Sequence, residues 1–112
     1  MKEGDIVLIN LLQSDGSYKI RPALILKLLP KYNDFLVCGI STQIHQYIKD
    51  LDEMLDENKT NFSATGLRQT SLIRLSFLAV TPGTRIRGSI GKIDASLHKQ
   101  LLQLLADFLV SK

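Results

Sequence analysis

Tryptophan is missing from this chain, and it has only one cysteine and two histidines. A lone thiol, Cys38, excludes an internal disulfide framework and fits a reducing compartment. Cys38, His45 and His98 do not fall at the short paired spacings of a zinc site. Long apolar runs are also lacking, and no stretch approaches the ~18 residues of a membrane span. Glu3 and Asp5 stand where a secretory signal would have a basic start, so a cytoplasmic protein without a membrane anchor is expected. No phosphate-binding P-loop is present, and the order of elements is wrong for a dinucleotide fold.

What is present describes one ordinary folded domain. At 112 residues, 45% hydrophobic and 22% charged, the chain is long enough to bury a core without disulfides or metals. Residues 1–112 are read as a single domain. The net charge of +3 is unevenly spread. From Gly66 to Ile93 there is no carboxylate, while Arg68, Arg74, Arg85, Arg87 and Lys92 all fall there. The acids gather instead at Asp50, Asp52, Glu53, Asp56 and Glu57. A stretch of cations without anions suits a phosphate-binding face, although a solvated sheet surface has the same composition.

Short strands separated by turns dominate the pattern. "DIVLINL" (5–11), "ALILKLL" (23–29) and "FLVCGIS" (35–41) are strands, with "SDGS" and "KYND" as the turns between them. In "IHQYIKDLDEMLDEN" (44–58), Ile44, Tyr47, Ile48, Leu51, Met54 and Leu55 recur at helical spacing. That predicts a short amphipathic helix with its acids facing solvent. "TSLIRLSFL" (70–78) and "RIRGSIGKI" (85–93) are further strands, the second with glycines that mark a bend or bulge. Asp94 then caps a terminal helix whose apolar stripe is Leu97, Leu101, Leu104, Leu105 and Phe108, widened by Leu102 and Leu109. Five or six strands and one helix make a β-rich α+β domain.

Few side chains carry the means for chemistry. Cys38 sits mid-strand among aliphatics and is expected to be an inert core thiol. His98, beside a lysine on the terminal helix, is expected to face solvent. "GSIG" (88–91) flanks strand-like residues rather than joining two helices, so it does not fit an RNA-clamping loop of the KH type. What remains is Arg21, directly before Pro22, and Ser41, Thr42 and Gln43, which close the next strand. Consecutive antiparallel strands bring the start of one to the end of the next. A guanidinium beside a hydroxyl and an amide matches the oxygens of a phosphate. Taken without context, Arg-Pro is usually a surface charge at a turn, and Ser-Thr-Gln a simple strand end.

At these residues the chain resembles the PemK/MazF family of toxin–antitoxin ribonucleases. "GDIVLINL" (4–11) is similar to the family's opening strand, and "RPALIL" (21–26) resembles its Arg-Pro signature. "GISTQI" (39–44) resembles its hydroxyl-plus-glutamine strand end. "GLRQTSLIRL" (66–75) and "IGKID" (90–94) resemble its later strand and the step into the terminal helix. The resemblance implies a small SH3-like β-barrel with a C-terminal α-helix, assembled as a homodimer. It also implies endoribonuclease activity on single-stranded RNA without metal or cofactor, blocked by a cognate antitoxin. Arg21 matches the family's catalytic arginine, and Ser41 stands at the position of its catalytic threonine. The RNA-binding residues it implies are Tyr18, Lys19, Thr42, Gln43 and Arg68. Two other functions remain open: a non-catalytic binding module, and a gyrase-poisoning toxin of the same fold. The lack of tryptophan counts against the second.

Overall fold

In the computed structural model, which describes residues 1–111, the apolar runs become six antiparallel strands. They are β1 (Asp5–Leu12), β2 (Tyr18–Leu29), β3 (Asp34–Ser41), β4 (Glu53–Leu55), β5 (Ser71–Pro82) and β6 (Ile86–Lys92). Their order across the sheet is β4-β5-β3-β2-β1-β6. One helix, α1 (Ala95–Val110), follows. The sheet curls into the half-barrel of a small SH3-like barrel, with the helix at its C-terminal end.

The runs look continuous because the central strands are buried on both faces. Along β1, Ile6 joins Leu24, Leu26 and Cys38 in one cluster. Val7, Ile9 and Leu11 join Ala23, Ile25 and Val37 in a second cluster on the opposite face. Alternate side chains of a strand point to opposite faces, so two buried faces demand apolar residues at every position.

Helix α1 covers the first of these clusters. The Asp94 carboxylate accepts the Leu97 N–H at 2.8 Å, capping the helix as expected. Leu101 and Leu105 are buried, whereas Phe108 and Leu109 are 51% and 66% exposed. The packing stripe therefore ends a turn earlier than the spacing suggests. His98 does not simply face solvent either. It is half-buried, and its Nε2 lies 2.8 Å from the Leu26 carbonyl oxygen.

The predicted helix over 44–58 is absent. The segment forms a 3₁₀ turn at Ile44–Gln46, an irregular turn, and then β4 on the sheet edge. Asp50 has φ +66°, which halts helical propagation. Leu51 and Leu55 still reach the core, so their spacing is satisfied by packing rather than by a helix. Asp52, expected in solvent, is only 3% exposed.

Glycine explains how the 63–66 turn sits on β6. Gly66 has φ +73°, and a side chain there would strike the Ile90 backbone. Register shifts between Ile6 and Val7 and between Leu8 and Ile9 mark the bulges expected in "RGSIG".

Candidate functional site

The site begins with a proline inside a sheet. The β1–β2 ladder runs unbroken from Leu24 through Pro22 to Tyr18. The β2–β3 ladder stops at Ala23 opposite Gly39, one residue short of Pro22. Proline has no N–H to donate, so the pairing ends there and the two strands part toward the rim. A groove of about 640 Å³ opens at this parting, and Pro22, Ile40 and Phe77 are among its apolar walls.

Beyond the last pair, Ala23 with Gly39, Arg21 lies two residues further along β2 and Ser41 two residues further along β3, at the same rim. Arg21, Ser41, Thr42 and Gln43 all line the groove. Ser41 is also oriented locally, because its Oγ accepts the Gln43 N–H at 3.0 Å. With a lone pair engaged there, the hydroxyl proton is free to be donated into the groove. Thr42 lies just beyond the end of β3, so strand alternation does not turn it away from the groove.

A second arginine enters from β5. Cys38 pairs with Leu78, but Gly39 pairs with Arg74, so Leu75, Ser76 and Phe77 form a bulge without partners on β3. The bulge places Arg74 and Phe77 together beside Gly39, with the guanidinium carbon 5.8 Å from the centre of the Phe77 ring. It is held from behind by Asp52, whose Oδ1 accepts the N–H and the hydroxyl of Ser76 at 3.2 and 3.0 Å. The Asp52 Oδ2 accepts the Ile48 N–H at 3.2 Å. Among the described residues the only ion pair is Lys27 with Glu3, at 3.6 Å. Neither groove arginine is neutralised, and no aspartate or glutamate lines the groove. Such a surface attracts anions.

The other expected site residues lie outside this groove. Arg68 lines a neighbouring recess of about 270 Å³, which shares Pro22, Ser41 and Thr42 with the groove. Tyr18 is exposed at the start of β2, with the Arg85 guanidinium 5.8 Å over its ring. Lys19 is exposed opposite Leu11. Cys38 is fully buried, and burial pushes its thiol far above the usual range, so it is unreactive. No histidine lines the groove. Arg74 and Gln46 are groove residues that motif reading passes over. The cation-only stretch held a signal for Arg74, but nothing local in the sequence reveals the bulge that aims it.

Comparison with known proteins places this arrangement in a family. The family model described as PemK-like, MazF-like toxin of type II toxin-antitoxin system matches residues 2–109. The fold is similar to the Mycobacterium tuberculosis toxin MazF-mt6, with a TM-score of 0.70 and 22% identity, covering 96% of this chain and 99% of that one. It is also similar to an endoribonuclease in complex with its cognate antitoxin from Mycobacterial species. There the TM-score is 0.70 at 12% identity, over 97% of this chain and 94% of that one. A third likeness, to an Mtb toxin, has a TM-score of 0.62 and 20% identity, over 89% and 97% of the two chains. The comparison with curated proteins finds no match. With nearly the whole length matched by the family model, the chain belongs to the PemK-like, MazF-like toxins of type II toxin–antitoxin systems.

Proposed function

We propose that this toxin is an endoribonuclease that cuts single-stranded RNA without a metal ion, by attack of a ribose 2′-OH on the adjacent phosphate. The observation that supports this reading is that Arg21 and Ser41 both line one groove that no carboxylate lines. Attack at phosphorus gathers negative charge on the phosphoryl oxygens. The Arg21 fork matches two of those oxygens and stays protonated throughout. Ser41 donates a hydrogen bond to the same phosphate, its oxygen being held by the Gln43 N–H. Donors aimed at developing charge are each worth about 3 kcal/mol of barrier. The reaction yields a 2′,3′-cyclic phosphate on one fragment and a free 5′-OH on the other. In this reading Thr42 and Gln43 hold the strand within the groove. Tyr18, Lys19 and Arg68 bind it on the flanking surface.

A cognate antitoxin partner, a homodimeric assembly and a cytoplasmic site of action belong to the same proposal. Support for the antitoxin comes from the similar mycobacterial endoribonuclease, which is seen with its cognate antitoxin. The reading is tested by incubating purified protein with a long single-stranded RNA in excess EDTA, alongside Arg21→Lys. Cutting by the wild type and at least a tenfold slower rate for the variant are expected. Equal rates would remove the arginine fork from the mechanism. No cutting across diverse RNAs would remove the enzyme.

A further inference from the structure

Gln13, in the turn that follows β1, lines the same groove as Arg21 and Ser41, yet the reaction proposed above does not use it. Its backbone is fixed on both sides. The Gln13 N–H donates to the Ser17 carbonyl at 2.7 Å, and the Gln13 carbonyl accepts the Gly16 N–H at 3.1 Å. Within the turn, the Asp15 carboxylate accepts the Ser17 N–H at 2.9 Å. The side chain is half-buried, and its Nε2 donates to the Leu11 carbonyl at 2.9 Å. Gln13 is therefore a placed amide rather than a loose surface one.

The bond to Leu11 also decides which end of the amide is which. A carbonyl oxygen only accepts, so it must meet the nitrogen end, and turning the amide over would set two acceptors against each other. A glutamine free to turn over reads a carbonyl on a base as readily as an amino group. Gln13 is held in one orientation, and its Oε1 is an acceptor of fixed direction. Arg21 and Arg74, in the same groove, offer only donors. Bases splayed from a single strand differ at the matching place on their edges. Adenine and cytosine carry an amino group where guanine and uracil carry an oxygen. The Gln13 Oε1 accepts from the first pair and is opposed by the second.

We propose that Gln13 is a specificity residue, admitting a base with an exocyclic amino group, adenine or cytosine, at one position of the bound strand. This assignment rests on the endoribonuclease reading above. It makes Gln13 a residue that selects among RNAs and takes no part in the chemistry at phosphorus.

The test begins with the sites that the wild type cuts in a pool of randomised single-stranded RNA, read by sequencing the fragments. One position near the cut should hold adenine or cytosine about tenfold more often than guanine or uracil. Gln13→Ala should lose that preference and keep those at other positions. Gln13→Met, which keeps the bulk without the amide, takes its place if the alanine variant does not fold. A second measurement uses a short RNA with adenosine at the selected position. Inosine there replaces the amino group by an oxygen, and purine riboside removes it. For the wild type, kcat/KM should fall about tenfold with either analogue, whereas the variant should cut all three RNAs at similar rates. A wild type that cuts RNA without such a position, or a preference for amino bases that survives in the variant, would overturn this assignment alone. A wild type that cuts no RNA would overturn it together with the endoribonuclease reading.

Discussion

The Asp52 carboxylate accepts both the N–H and the hydroxyl of Ser76, a residue 24 positions away in the chain. Through that contact an acid from the loop before β4 fixes the bulge that carries Arg74 and Phe77 into the groove. Asp52→Ala leaves the N–H groups of Ile48 and Ser76 without their acceptor. Both bonds are only part-buried, so water replaces the lost acceptor in part, and the variant should lose about 1–2 kcal/mol in urea unfolding.

Ser41 offers a cleaner separation of chemistry from stability. Ser41→Ala removes the groove donor and the acceptor for the Gln43 N–H. Its cleavage rate should drop about 10²-fold with little change in melting temperature. Ser41→Thr restores the hydroxyl and adds a methyl that limits its rotamers, so activity at or above the wild-type level is expected. A single-turnover cleavage assay on the two variants distinguishes these outcomes.

Asp94 sets a pH dependence of stability. The N–H of Leu97, then the Asn61 amide and the Ser96 hydroxyl, hold its carboxyl below the usual 3.8. A group whose folded value is depressed stabilises the fold above its unfolded value and loses that contribution as pH falls through the folded one. The melting temperature should therefore decline as pH drops below 3.8. Asp94→Asn should show a shallower decline, because asparagine still caps the helix but does not titrate.

Gly66 is a test of close approach. Its φ of +73° and the nearness of the Ile90 backbone leave no room for a side chain. Gly66→Ala should destabilise the protein by more than about 1 kcal/mol by chemical denaturation. It should also disturb the recess lined by Leu67 and Arg68.

How legible the molecule was in sequence follows from how local each feature is. β1 and the core of β2 could be read because residues buried on both faces leave an unbroken apolar run. The cap at Asp94 could be read because its partner is three residues away. The 44–58 segment misled because Leu51 and Leu55 keep helical spacing while packing into a core built mostly by distant strands. Asp52 looked like a solvent-facing acid because its partner Ser76 is remote. Motif order pointed to Arg21, Ser41 and Gln43, and all three line the same groove. That Arg74 lines the groove was not legible, since a bulge in β5 against β3 exists only in the folded sheet.

The chemistry of the cut ends tests the central claim most directly. Fragments of a single-stranded RNA digested in EDTA, analysed by mass spectrometry, should carry 2′,3′-cyclic phosphate and 5′-OH ends, and Arg21→Gln should yield them at least about 10²-fold more slowly. Fragments bearing 5′-phosphate and 3′-OH ends, or the same cutting rate without Arg21, would contradict 2′-OH attack at the Arg21–Ser41 rim.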